Sequence, residues 1–445
     1  MPKPIWEGQF HSLRAVEGLD IDKYAIATYY VETPEPDLVK YAEGMAVEQT
    51  TGTWTPVPGE TIDVRERSGG KIVGIYRIRG APNSSIVRIA YPVENWGGPN
   101  LGVMLSTIFG NVSHQASEDP PYATKVMDVD FPQAWLKEFK GPKFGLPGIR
   151  EILKIPDRPI LNAMIKPCIG HSLDTHIKIF RDTAFGGVDI IKDDELLADP
   201  KFNPFFDRLS KCLEICDKKE QEMNEKTLYT INATDNTDKM LEKCEKAIQS
   251  GANALMINSS HDIMTLKTLA DDPSIKVPIL YHICFAGNYT VDVRTGMAFW
   301  VFEKLARIAG ADICLVPDYW GKFGAYTRDV CLQARAAAIA PLQHIKPLLL
   351  LPGGGVHPGL VPHIVSDYGK DILIGAGGAV HGHPMGATGG GKALRQAIDA
   401  VMKGEDLREY AKTHKELKAA LDKWGYPQSI QEATQVYDLR GGKKI

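Results

Sequence analysis

A chain of 445 residues is longer than one ordinary hydrophobic core supports, so two domains are expected, one of them large. Hydrophobic residues at 44% and charged residues at 24% describe a globular protein. The formal charge of −4, with no basic run of five or more, excludes the basic face on which nucleic-acid binders rely. The longest apolar runs, such as PLLLLP, stop far short of a membrane span, and MPKPIWEGQF lacks the apolar stretch of a signal peptide. Seven scattered cysteines fit reduced thiols and a cytoplasmic setting. Cys212 and Cys216 in CLEIC have the spacing of one helix face and read as core rather than as metal ligands.

In chain order, residues 1–140 read as an α+β domain. YAIATYYVE from Tyr24 alternates as a strand, PDLVKYAEGMAVEQ from Pro36 reads as a helix, and KIVGIYRI and SIVRIAYPV read as further strands. The texture then changes. Compact apolar runs recur with helical segments between them: PILNAM, VDIIK, LYTIN, ALMIN, PILYHI, DICLV, LLLLP and DILIGA. Near-continuous apolar strands are what a parallel sheet covered by helices requires, and eight of them predict a (β/α)8 barrel over 141–405. A doubly wound sheet is the structural alternative. GEDLREYAKTHKELKAALDKWG opens a helical extension over 406–445.

In such a barrel, chemistry gathers where strands end and βα loops begin. IKPCIG puts Lys166 at the end of the first strand, and KDDE puts Lys192, Asp193, Asp194 and Glu195 at the end of the second. His282 ends the fifth strand, and Lys322 follows the sixth within DYWGKFGAY. Glycine-rich PGGGVHPG and GAGGAVHGHP close the last two. A helix cap needs one acid, not three beside a lysine. Hard oxygen ligands suit Mg²⁺. Side chains alternate on a strand, so Lys192 and Asp194 share a face and Asp193 points away. An ammonium there would repel a cation; carbamylation of Lys192 by CO₂ would turn it into a third carboxylate-type ligand, the bland alternative being a Lys–Asp ion pair. Backbone N–H groups bared by glycine can approach a phosphate closely. Neither GAGGAVHG nor GATGGGKA stands where a dinucleotide or nucleotide loop would be, and no HExxH or cysteine cluster suggests zinc.

Several motifs carry a resemblance. EQTTGTWTPV from Glu48, IFGNV with Asn111, MIKPCIG, GGVDIIKDDE, GGGVHPG and GGAVHGHP resemble, in order and spacing, those of the RuBisCO large-subunit superfamily, over essentially the whole chain. The resemblance implies an α+β domain on a (β/α)8 barrel and a homodimer in which one subunit's N-terminal domain completes the neighbour's site, with larger assemblies of dimers open. It implies Lys192 as the carbamylated lysine, with Asp194 and Glu195 as Mg²⁺ ligands, and Lys166 as the residue that moves protons to and from an enediolate. Glu48, Thr53, Trp54 and Asn111 would be lent by the partner. Gly355, Gly377 and Gly378, with Thr53 and Trp54, would bind one phosphate, and Lys322 would stabilise a carboxyl group.

The departures are as informative. The family's KPKLG is KPCIG here, so its second lysine is Cys168. The His-Arg pair after the fifth strand is replaced by Cys284 and Phe285, the histidine after the sixth aligns with Cys314, and the serine before the strand-seven glycines is Gly353. Losing the arginine and histidine dismantles the site for a second phosphate, and Phe285 offers an apolar wall instead. A bisphosphate would leave a charged group unpaired there. The expectation is therefore a RuBisCO-like enzyme that enolises a keto-sugar monophosphate with Mg²⁺, without CO₂ fixation; isomerase, enolase and decarboxylase outcomes stay open. The related enolase subgroup carries lysine at the position of Asn111. The alternatives are a divergent carboxylase and a non-catalytic sugar-phosphate-binding protein.

Overall fold

The computed structural model describes residues 19–435 apart from 53, 54, 56, 118–122 and 325. It divides into two compact units, Met1–Lys140 with Ala286–Leu305, and Gly141–Phe285 with Ala306–Ile445. The barrel span expected from the sequence, 141–405, is thus interrupted: residues 286–305 pack with the first unit.

The first unit is built on strands β1 (Tyr24–Glu32), β2 (Lys71–Arg77), β3 (Ser84–Pro92) and β4 (Ala123–Asp130). Strand β10 (Gly296–Met297) pairs in parallel with β4, giving the order β10-β4-β1-β3-β2. Alternate residues of β1 are buried, as a half-covered sheet demands. On its buried face the Tyr29 hydroxyl donates to Ile108 O at 2.9 Å and meets the Tyr91 hydroxyl at 2.9 Å. The helix Leu38–Glu48 starts at Asp37, whose carboxylate accepts from the Val39 and Lys40 amides.

The second unit is a closed parallel barrel. Its strands are β5 (Ile160–Met164), β6 (Ile190–Lys192), β7 (Leu228–Asn232), β8 (Ala254–Asn258), β9 (Ile279–His282), β11 (Ile313–Pro317), β12 (Leu349–Gly353) and β13 (Leu373–Ala376). All eight coincide with the apolar runs of the sequence, and every residue in them is buried. Helices Leu173–Ala184, Phe205–Met223, Thr237–Gln249, Ile263–Asp271, Phe299–Ala309, Arg328–Ile339, Val361–Tyr368 and Gly386–Lys403 lie between or after the strands. Cys212 and Cys216 are buried on the second of these, as core. GATGGGKA opens the last of them, so it is a helix and not a nucleotide loop. Among the described residues, no helix is long and apolar enough to cross a membrane.

Candidate active site at the barrel mouth

Parallel pairing of Met164 with Lys192 fixes the depth of β5 against β6 and sets Lys166 beside the KDDE segment. Lys192 is fully buried; its Nζ donates to Asp193 O at 2.8 Å and stands 3.3 Å from Glu195 Oε2. Lys166 Nζ lies 2.5 Å from Asp194 Oδ2 and 3.0 Å from Cys168 Sγ. His282 Nε2 is 3.4 Å from Glu195 Oε2. Two ammonium groups, two carboxylates and one imidazole thus gather as two neighbouring sets, Lys166 with Asp194, and Lys192 and His282 with Glu195.

Asp193 does turn away. Its carboxylate accepts from the Tyr229 hydroxyl at 2.7 Å, the Asn232 amide at 3.1 Å and Arg208 Nη2 at 3.0 Å, all buried. Arg208 is held in turn by Asn203 O and Ala198 O. The first acid of the motif therefore braces the turn from behind. Sequence reading missed two further braces: Asn232 Nδ2 donates to Glu195 O at 3.1 Å, and Asn258 Nδ2 donates to the same oxygen at 2.9 Å. The signal was present, since LYTIN and ALMIN each end an apolar run in a buried asparagine.

Electrostatics follow from these contacts. Burial pulls the Lys166 ammonium down, but its bonds to Asp194 and Cys168 outweigh this and hold it above the ordinary lysine value. Burial pushes the Glu195 carboxyl up; the adjacent Lys192 ammonium reverses this, and it sits well below the usual range. Burial and the adjacent Lys192 charge keep His282 neutral.

The glycine loops reach the same mouth. Gly354 and Gly355 adopt φ of +98° and +106°, a region that favours glycine. A Cβ on Gly377 would stand 3.0 Å from Lys166 Cε, so the loop after β13 lies against the lysine stem, whereas Gly378 faces open space. Phe285 is 49% exposed at the end of β9, with its amide donating to Ser259 Oγ. Lys322 is exposed, its Nζ 4.9 Å from the centroid of the Phe323 ring. Cys314 is buried within β11, and Gly353 ends β12. In the first unit, Asn111 Nδ2 donates to Glu48 Oε1 at 2.8 Å, joining those two candidates. Thr53 and Trp54 lie outside the described residues. His381 and His383 bond the carbonyls of Met164 and Glu416 and are structural.

Among the described residues, no three His, Cys, Asp or Glu side chains group as a ready metal site. The reason is visible in the donor set: Lys192 occupies the third place beside Asp194 and Glu195. A carbamate on Lys192 would reverse its charge and complete an all-oxygen set, the donor chemistry that suits Mg²⁺. The residues fit that ion on this condition.

A closed parallel barrel with a lysine–carboxylate cluster and two glycine loops at one end defines the class, a (β/α)8 barrel with an enzyme-type rim site. The family model for the ribulose bisphosphate carboxylase large chain matches twice, the N-terminal domain over residues 19–135 and the catalytic domain over 145–424. The chain is 42% identical over 408 residues to the ribulose bisphosphate carboxylase-like protein of Archaeoglobus fulgidus, covering 89% of this chain and 92% of that one. It is 35% identical to the 2,3-diketo-5-methylthiopentyl-1-phosphate enolase of Geobacillus kaustophilus, covering 90% and 98%. Among solved structures, the octameric ribulose-1,5-bisphosphate carboxylase/oxygenase of Pyrococcus horikoshii superposes with a TM-score of 0.85 at 30% identity, covering 92% and 95%. A rubisco-like protein of Alicyclobacillus acidocaldarius gives 0.82 at 33%, covering 90% and 100%. The chain belongs to the ribulose bisphosphate carboxylase large-chain family, on its RuBisCO-like side, and is an enzyme of that superfamily.

Proposed function

We propose that this protein is a Mg²⁺-dependent enzyme that removes a proton beside the carbonyl of a keto-sugar monophosphate and does not fix CO₂. The carrying observation is the contrast at the rim. Lys166, Lys192, Asp194 and Glu195 gather beside Gly377, while an exposed Phe285 stands at the position to which the family resemblance assigns an arginine. Lys192 as a carbamate, Asp194 and Glu195 would hold the cation. When bound, Mg²⁺ supplies Lewis-acid stabilisation to the oxygen charge that develops as the proton leaves.

The chain's own groups do the rest. Lys166 keeps its proton at neutral pH and sits 2.5 Å from Asp194, placed to hand a proton to the enediolate. Gly355, Gly377 and Gly378 offer main-chain donors to one phosphate. His282, neutral and buried, packs against Glu195 and holds its orientation. Phe285 leaves the far end of the substrate without an anion partner. Glu48 and Asn111, from a partner subunit of a homodimer, would complete the site, and Lys322 would stabilise a carboxyl group.

The test follows deuterium exchange from D₂O by NMR on keto-sugar monophosphates, including 2,3-diketo-5-methylthiopentyl 1-phosphate, with Mg²⁺ and bicarbonate. Ribulose 1,5-bisphosphate with ¹³C-bicarbonate runs in parallel. Metal-dependent exchange on a monophosphate, with no labelled 3-phosphoglycerate, is expected. Labelled 3-phosphoglycerate would make the chain a carboxylase, and exchange on no substrate would make it a binding protein.

A further inference from the structure

The segment that carries Lys322 is fastened to the glycine loop after β12 by four separate features. The Asp318 amide donates to Gly353 O at 2.8 Å, and the Lys322 amide donates to Gly354 O at 2.7 Å. Within the segment, Asp318 accepts from the Trp320 amide through Oδ1 and from the Gly321 amide through its carbonyl. Gly321 runs so close to the loop that a Cβ on it would lie 2.1 Å from Gly354 O. Finally, the Phe323 ring covers Gly354: a Cβ there would stand 2.3 Å from Phe323 Cδ2 and 2.4 Å from Cε2. Two chain segments can cross at this distance only because both positions are glycine.

The same ring also meets the lysine. Lys322 Nζ lies over it, 4.9 Å from its centroid. Phe323 is nonetheless 44% exposed, more than an aromatic ring accepts when its sole task is to fill a core. The Phe323 ring thus meets both the glycine loop and the lysine side chain.

We propose that Phe323 is a positioning residue: its ring clamps the Lys322 segment onto Gly354 and holds the Lys322 ammonium at the mouth, so that an anion on the glycine loop and the placement of Lys322 are coupled. Phe323 touches neither the lysine–carboxylate cluster nor the metal-ligand set, so it acts through Lys322. The proposal deepens the function proposed above and rests on it for the roles of Lys322 and the glycine loop.

Hydrogen exchange at the Lys322 amide, measured on the full chain with Mg²⁺ and bicarbonate, tests the clamp without any turnover. Phe323→Ala is expected to speed that exchange about tenfold, Gly321→Ala to do the same by driving the segments apart, and Phe323→Tyr to restore the wild-type rate. Inorganic phosphate serves as the probe anion. It should slow the exchange in the wild type and Phe323→Tyr but not in Phe323→Ala, while its calorimetric affinity changes by less than about threefold. An unchanged Lys322 amide in Phe323→Ala overturns the proposal, as does equal loosening in Phe323→Tyr. Phosphate that fails to bind the wild type would instead remove the monophosphate reading, leaving the exchange rates without phosphate to judge the clamp.

Discussion

At the scale of single residues, two adjacent aspartates in one motif have opposite duties. Asp193 is locked behind the strand by Arg208, Tyr229 and the Asn232 amide, and Asp194 faces the mouth against Lys166. Asp193→Asn would leave the fully buried Arg208 without its counter-charge and is expected to cost about 3–5 kcal/mol, read as a large fall in melting temperature. Asp194→Asn should melt close to the wild type, because Lys166 is partly exposed and can turn to water. Its Mg²⁺ affinity in bicarbonate should nevertheless drop by about 100-fold or more in a calorimetric titration. Equal melting losses in both variants would remove this division of labour. The alternation of a strand made the opposite facing of the two acids legible in the sequence. The partners of Asp193 were not legible, because Arg208 and Tyr229 are distant in the chain and only folding brings them together. Cys168 is only two residues from Lys166, yet the letters KPCIG do not show that its thiol meets the ammonium.

At the scale of elements, the eight barrel strands could be read from apolar runs, since a strand buried on both faces has no freedom to be polar. What could not be read was the staple at the opposite end of the barrel. Asp189, just before β6, accepts from Arg158 through both oxygens at 2.8 Å, from Arg395 at 2.8 Å and from the Leu161 amide at 2.8 Å. It ties β5 and β6 to the helix Gly386–Lys403. Burial pushes this carboxyl up, but Arg158, then Arg395, outweigh it and the net shift is downward. A carboxyl whose folded value lies below its unfolded one stabilises the fold fully above the unfolded value, about 3.9, and loses that contribution as pH falls through the folded value. Asp189→Asn is therefore expected to cost about 3 kcal/mol at neutral pH and to flatten the acid limb of a melting-temperature profile below about pH 4. An acid limb unchanged by the substitution would show that other carboxylates govern it.

At the scale of the whole molecule, the sequence placed a boundary near residue 140 but gave no sign that residues 286–305 join the first unit. Two residues of strand pairing with β4 make that link, too few to leave a periodic signature. Glu48 and Asn111 sit on that first unit and the lysine–carboxylate cluster on the second. If sites are shared between subunits, Glu48→Gln and Lys192→Arg should each be inactive alone. Subunit exchange between them should recover up to about a quarter of wild-type turnover, because half the dimers are mixed and each mixed dimer holds one intact site. Continued inactivity after verified exchange would place both residues in the same subunit's site.

The opposite facings of Asp193 and Asp194 make the KDDE segment readable in only one frame. Slide it one position toward the C-terminus and the composition is untouched, yet a lysine would meet Arg208 while the aspartate meant for Arg208 would stand in the open mouth. Insertions and deletions here therefore act on two distant functions at once, and the spelling of the motif is guarded as much by the far side of the strand as by the chemistry at its tip.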